Sequence, residues 1–425
     1  MGITIKHGMH IAPHVSKTNR KQRNSSIELL RIIAMLMILC NHYIVQSDVF
    51  IGENVPPFSF KLYILLLLRC FGKLGVMIFF TISAWYLCME KQPTMKKALK
   101  RVWILEREVL FYSLGLLVVC YIFARQYVTK PKIIYSIFPT ISGREWWYVT
   151  AYVIFLLICP SLTKGLRAIG KGAHASLCVV FVIGWGIIAG LMPLGVLQSQ
   201  YDGFINFLFI YVLVAFYRWY LDDFSARTAW LMVVIGASIL AISILGIQLL
   251  GSQLGSDLLR SKSTYLSQTC VKLPMLLIGF GIMLLFEMKY LFNKVINSIA
   301  STTFGVYLIH EHQCVIDPLW RDSKFSLGRF YDSPYVFAFL LTVIISVFVV
   351  AMLIDYIRQG IFACTVNRKE GQWFYNLYDY IATRRWAIRL NRAVMAKPLP
   401  HESLISSRNI CDQADHPIPP MYNEK

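Results

Sequence analysis

The chain alternates long apolar runs with short polar and basic stretches. Ten runs, roughly 27–46, 62–88, 109–125, 147–163, 174–192, 204–220, 229–250, 271–287, 295–312 and 335–357, are near 20 residues long and rich in Leu, Ile and Phe. A helix rises about 1.5 Å per residue, so about 20 residues cross a hydrocarbon core of about 30 Å. A transmembrane β-barrel would instead alternate apolar and polar positions over segments of about ten residues. The pattern predicts an all-α, polytopic membrane protein with about ten transmembrane helices.

The polar stretches orient these spans. If the N-terminus is cytoplasmic, the stretches on that side are 1–26, 89–108, 164–173, 217–228, 288–294 and 358–425. They carry 28 of the 42 Lys and Arg residues, against 10 in the outer loops. Lys and Arg concentrate on the cytoplasmic side of membrane proteins, so both termini are expected there. Three regions follow: a basic N-terminal segment 1–26, a transmembrane domain 27–357 and a basic tail 358–425. In the tail, Phe374, Leu377, Tyr378, Ile381 and Ile388 recur at helical spacing beside Arg384, Arg385, Arg389 and Arg392. That mixture suits a helix lying on the inner leaflet, with a solvated tail as the alternative.

Composition removes other classes. Hydrophobic residues make up 56% of the chain and charged ones 15%, where soluble proteins carry about 25% charge. The formal charge of +19 invites a nucleic-acid partner. The cations lie between apolar runs and in the tail, however, where topology and lipid headgroups account for them. Of the ten Cys, seven (40, 70, 88, 120, 159, 178 and 270) lie in or beside apolar runs and none forms a CxxC pair. They read as small apolar packers.

Four constellations could carry chemistry. Arg31 and His42 lie eleven residues apart on the first run. Eleven residues make three turns, so both face one way, about 16 Å apart along the axis. A charge at bilayer depth costs about 2.5–3.5 kcal/mol on insertion scales, and such residues tend to be functional. Glu28, three residues before Arg31, is placed to pair with it. On the second run Arg69 and Lys73 are four apart, which calls for a counter-anion such as Asp355 or Glu311, a wet cavity or an anionic ligand. Gly72 and Gly75 beside Lys73 would break the helix or admit a close neighbour, and Ser83 lies toward the inner end. Ahead of the fourth span stands Arg144-Glu145-Trp146-Trp147-Tyr148, either an interfacial aromatic belt or a platform for sugar rings. On the ninth, Tyr307, His310 and Glu311 fall within one turn and suit proton handling or hydroxyl binding. His310 and His312 alone are too little for a metal site, and no metal is expected.

The segments RIIAMLMILCNH, GKLGVMIFFTISAWYL, REWWYVTAYVIFLLICP and STTFGVYLIHE occur in the same order in bacterial integral-membrane acyltransferases. Over residues 24–357 the chain resembles the acyltransferase-3 family, through the Arg-x10-His pair followed by V-x-[IL]-F-F-x-x-S. The family's second motif usually ends Ser-Gly, where this chain has Ser83-Ala84. The tail has neither the length nor the Gly-Asp-Ser motif of the esterase-like domain some relatives carry. The resemblance implies an O-acyltransferase of the bacterial cytoplasmic membrane. It would take acetyl, or another acyl group, from cytoplasmic acyl-CoA to a hydroxyl of a cell-surface or lipid-linked glycan. It implies acetyl-CoA as co-substrate, Arg31 with Arg69, Lys73 and Ser83 on the donor side, and Arg31 and His42 in catalysis. Trp146, Trp147, Tyr307, His310 and Glu311 would lie on the acceptor side. Self-association as a homo-oligomer stays open.

A transporter or flippase for a glycan or lipid-linked intermediate would also need intramembrane cations and an aqueous path. Repeat symmetry and broken helices in matching positions would mark it, and the sequence shows neither. A glycan polymerase would be expected to carry a large outer loop, and the longest here is about 20 residues.

Overall fold

The computed structural model describes residues 23–47, 58–191, 203–322, 324–367 and 372–395. Most of the basic N-terminal segment and the end of the tail lie outside the described residues. Those described form helices, turns and loops, with no strand among them. The principal helices are α1 (Ser25–Gln46), α2 (Phe60–Arg69), α3 (Phe71–Leu87), α4 (Met95–Phe123), α5 (Lys130–Ile137), α6 (Trp147–Phe181), α7 (Phe204–Tyr220), α8 (Ala226–Gln253), α9 (Leu273–Glu287), α10 (Lys294–Ala300), α11 (Thr303–His310), α12 (Val336–Cys364), α13 (Gln372–Ala382) and α14 (Arg385–Met395).

Among the described residues, five helical stretches are long and apolar enough to cross a membrane: Ser25–Gln46, Phe60–Leu87, Trp147–Ile188, Ala226–Gln253 and Val336–Cys364. The shorter α7 and α9 are also apolar. Burial sorts these helices. More than half of α1 is enclosed by protein (56%), but only 17% of α8 and 28% of α12. Exposed Leu, Ile and Val cover α8 and α12, a surface that suits hydrocarbon and not water. The first helix is therefore central and α8 and α12 are peripheral.

Three elements differ from the sequence reading. The fourth and fifth spans form one helical run, interrupted at Gly170 (φ 76°, ψ 175°). That backbone region is essentially restricted to glycine, so the hinge depends on this residue. The third span begins at Met95 instead of 109, because the Thr94 side chain caps the first turn by accepting from Lys97 N–H. A basic first half hid this helix from a hydropathy reading. The ninth span is two helices, α10 and α11, parted at Ser301 and Thr302.

Close packing of α1 on α3 depends on glycine. A Cβ built on Gly75 would sit 2.6 Å from the Ala34 carbonyl oxygen, and one on Gly72 would collide with Asn41. The N-terminus of α1 is tied down by polar side chains. Asn24 caps it by accepting from Ser26 N–H and donates to the Lys289 carbonyl oxygen (2.9 Å), and Ser26 Oγ donates to that of Phe286 (2.8 Å). These bonds fix the height of α1 against α9 and α10.

A buried ion network joins α4 to α12. Asp355, fully enclosed, accepts from Tyr112 Oη (2.7 Å), Arg358 Nε (2.7 Å) and Gln359 Nε2 (2.7 Å). Arg358 also reaches Glu108 at 3.4 Å. Asp355 is thus engaged by its own helix and by α4, and not by Arg69 or Lys73, the cations it could have served as counter-ion. Removing one member of a buried pair leaves the other charge uncompensated, at a cost of about 3–5 kcal/mol. Asp355→Ala is therefore expected to lower the thermal unfolding midpoint in detergent by many degrees. An unchanged midpoint would show that the network contributes little.

The described residues from Gly360 onward belong to a separate compact unit. It contains the end of α12 together with α13 and α14, which expose Trp373, Leu377, Trp386 and Leu390 beside Arg384, Arg385 and Arg389.

Candidate functional site

One stripe of α1 organises the site. Met35, Ile38 and His42 recur at i, i+3 and i+7, and all three line a narrow, mostly apolar cavity of about 20 Å³. Arg31 lies one turn before Met35 on the same stripe. The other walls come from Val76 and Phe79 of α3, Trp147 and Tyr148 at the start of α6, and Phe304 and Tyr307 of α11. The break at Ser301–Thr302 places the short helix α11 beside the cavity.

At the outer end of the stripe as the sequence orients it, His42 Nδ1 lies 3.0 Å from His310 Nε2 and 3.3 Å from Glu311 Oε1. The two imidazoles are tilted, with centroids 5.2 Å apart, and Tyr307 stands 6.3 Å from His42, ring to ring. Glu311 stands beside Gln46, whose Oε1 accepts from Arg321 (3.1 Å). His42, His310 and Glu311 bring one potential metal-ligand atom each within 4.8 Å of one another. The 3.0 Å separation of the two ring nitrogens is equally that of a direct hydrogen bond.

At the other end, Arg31 Nη1 binds Glu28 Oε2 at 2.7 Å, and about a quarter of its side chain stays exposed. The guanidinium is within electrostatic range of the Tyr148 and Tyr152 hydroxyls. Ser83 stands beside the Tyr152 hydroxyl. Polar groups thus run from Arg31 past Ser83, Tyr152 and Tyr148 to Tyr307 and His42.

The remaining sequence candidates divide. Lys73 Nζ stands 5.2 Å from the ring centroid of Trp147, so a cation and an aromatic wall of the cavity meet directly. Arg69 closes α2 while Lys73 lies in the first turn of α3. Cys70 between them keeps helical backbone angles (φ −64°, ψ −20°), so the two cations stay on one helical stretch, Phe60–Leu87, while Arg69 is not part of the cavity wall. Trp147 and Tyr307 line the cavity, and His310 and Glu311 stand behind His42. Trp146, next to Trp147 in sequence, is enclosed in packing, its ring edge-on to His312 at 5.6 Å. No face of that indole is open to a ligand. Tyr148, part of the aromatic platform, lines it too, while Met35, Ile38, Val76, Phe79 and Phe304 complete the wall without standing out in the sequence as candidates. Helical spacing from Arg31 was the available signal for Met35 and Ile38.

His312 belongs to a different cluster. Its Nε2 donates to the Ser113 carbonyl oxygen (3.1 Å) and its Nδ1 accepts from Cys314 N–H (3.1 Å). Glu145, just ahead of α6, accepts from Gln313 N–H (2.9 Å) and from Ser136 Oγ (3.3 Å). Burial disfavours its charged form, and the carboxyl is pushed up to about 7. A carboxyl whose pKa is raised by folding contributes most stability below its unfolded value, near 4.5, and loses it as pH rises through the folded one. The unfolding midpoint should therefore fall between about pH 5 and pH 8, and Glu145→Gln should flatten that slope. A variant with the wild-type pH profile would place the titration elsewhere.

No curated protein matches the chain significantly, and no solved structure does. A family model described as an acyltransferase domain matches residues 24–355, a stretch that contains α1 with Arg31 and His42 and every residue lining the cavity. The chain belongs to the acyltransferase-3 family and is a membrane acyltransferase.

Proposed function

We propose that this acyltransferase moves an acetyl, or another acyl, group from cytoplasmic acyl-CoA to a hydroxyl of a cell-surface or lipid-linked glycan in a bacterial cytoplasmic membrane. The observation that carries this reading is the α1 stripe. It sets a partly exposed guanidinium at one end and an imidazole facing an aromatic cavity at the other, about 16 Å apart. Such a stripe suits a donor with an anionic head and a long thin arm. Arg31 would hold phosphate at the cytoplasmic end and the acyl-bearing arm would reach along the apolar wall toward His42. Trp147, Tyr148 and Tyr307 offer ring faces and hydroxyls suited to a sugar.

In this reading His42 acts as general base. It takes the proton of the acceptor hydroxyl as that oxygen attacks the thioester carbonyl. The tetrahedral intermediate collapses with cleavage of the C–S bond, and the departing CoA thiolate recovers the proton from the imidazolium. Lys73, held beside Trp147, is the cation available to stabilise the oxyanion. The test is transfer of radiolabelled acetyl from acetyl-CoA to glycan acceptors by the purified protein in nanodiscs. Thioester cleavage with labelled glycan supports the reading.

The second reading, transport of a glycan or lipid-linked intermediate, is favoured by the helix break beside the cavity, at Ser301–Thr302. Helices broken near a substrate site are a transporter feature. Sugar-dependent flux in liposomes without acetyl-CoA binding would select it.

A further inference from the structure

We infer that His310 is a positioning residue that fixes which nitrogen of His42 serves as the base. The inference rests on the role of His42 proposed above. His310 Nδ1 lies 2.6 Å from the carbonyl oxygen of Val306, one turn earlier in α11. A carbonyl oxygen only accepts, so Nδ1 carries the hydrogen, and in the neutral ring Nε2 is a bare lone pair. That lone pair faces His42 Nδ1 at 3.0 Å. Two lone pairs cannot face each other at this distance, so His42 Nδ1 carries a hydrogen and donates it. Glu311 Oε1 lies 3.3 Å from the same nitrogen. His42 Nε2 is therefore the unprotonated nitrogen, free to accept a proton.

The chain from the Val306 carbonyl through His310 to His42 has the logic of a catalytic triad, in which a third group holds the base in one tautomer. His310 is well fixed for this part. It is fully buried, Trp320 packs edge-on to its ring at 6.3 Å, and Trp320 Nε1 donates to its backbone carbonyl oxygen at 3.2 Å. During transfer Nδ1–H stays in place while Nε2 takes the hydroxyl proton and returns it to the CoA thiolate. The positive charge that His42 bears between these steps faces the His310 lone pair and Glu311. His312, two residues on, takes no part, since both its nitrogens are engaged in the Ser113–Cys314 cluster.

The test combines a spectrum with two substitutions. Nitrogen-15 NMR of histidine-labelled protein in nanodiscs, with His42 assigned by comparison with His42→Asn, is expected to show His42 protonated at Nδ1 and bare at Nε2. His310→Gln keeps an acceptor oxygen near the place of Nε2 and should retain kcat within about tenfold. His310→Met removes the acceptor and should lose about 10²-fold in kcat with KM unchanged, the scale expected when a base is mis-set. The inference is overturned if His42 is protonated at Nε2 instead, if His310 carries hydrogens on both nitrogens, or if both variants keep wild-type kcat. A stoichiometric divalent metal whose removal abolishes activity would also overturn it, since ligation needs Nδ1 bare. The expected His42 spectrum in a protein that transfers no acyl group would sink the proposed function and leave the tautomer assignment standing.

Discussion

Changing His42 to Ala is expected to abolish acyl transfer, a fall of about 10²–10⁴-fold or more, while leaving abundance and detergent stability near those of the wild type. The side chain makes two polar contacts, to His310 and Glu311, and faces a cavity. Its loss therefore removes chemistry before it removes packing. His42→Asn is the sharper variant. Its amide can still offer N–H toward His310, so the helix contact is kept, but it has no basic nitrogen to accept a proton. Both variants should be inactive, and the His42→Asn protein should unfold no earlier than the wild type. The assay is acylation of surface glycan in cells lacking the chromosomal copy, read beside the protein level. Near-normal acylation in either variant would end the assignment of His42 as base, whatever the family resemblance.

The stripe was legible because it is short-range. Arg31 and His42 share one helix, and a period of 3.6 fixes their common face whatever surrounds it. The Glu28–Arg31 pair was legible for the same reason. What lay beyond the sequence is which neighbours meet that face. Lys73 and Trp147 are 74 positions apart, and their contact depends on the packing of α3 against the start of α6. Trp146 and Trp147 are indistinguishable in composition, yet Trp146 is the extended residue ahead of α6 (φ −144°, ψ 100°) and Trp147 the first helical one, so one side chain enters the packed interior and the other the cavity wall. His310 and His312 divide likewise, since the helix ends between them and the chain turns at Glu311. The continuation of α6 through 164–173 escaped a hydropathy reading because Lys164, Arg167 and Lys171 make that stretch read as a loop, and the break at Ser301–Thr302 because it falls inside a run that is apolar on average. Asp355 shows the converse error. An acid on an apolar helix was a natural partner for distant cations, but Arg358 three residues away and Tyr112 satisfy it locally.

Replacing Arg31 should separate donor recognition from chemistry. Arg31 lies about 16 Å from His42 along α1, too far to touch the reacting carbonyl, so its loss should appear in KM for acyl-CoA and not in kcat. A hydrogen bond to a charged group is worth about 1.5–3 kcal/mol, which predicts a KM rise of about 10–100-fold for Arg31→Ala. Arg31→Lys keeps the charge but loses the planar fork that matches phosphate oxygens, and should fall between Ala and wild type. Glu28 makes the comparison more discriminating. Its carboxylate, 2.7 Å from Nη1, fixes the guanidinium and offsets part of its charge. If the pairing mainly orients Arg31, Glu28→Gln should raise KM. If it mainly competes with the donor for the same cation, Glu28→Gln should lower KM and steepen its dependence on ionic strength. Initial rates against acyl-CoA concentration at two salt levels distinguish these outcomes. Unchanged KM and kcat in both Arg31 variants would remove the guanidinium from donor binding and leave it as a membrane-surface anchor held by Glu28.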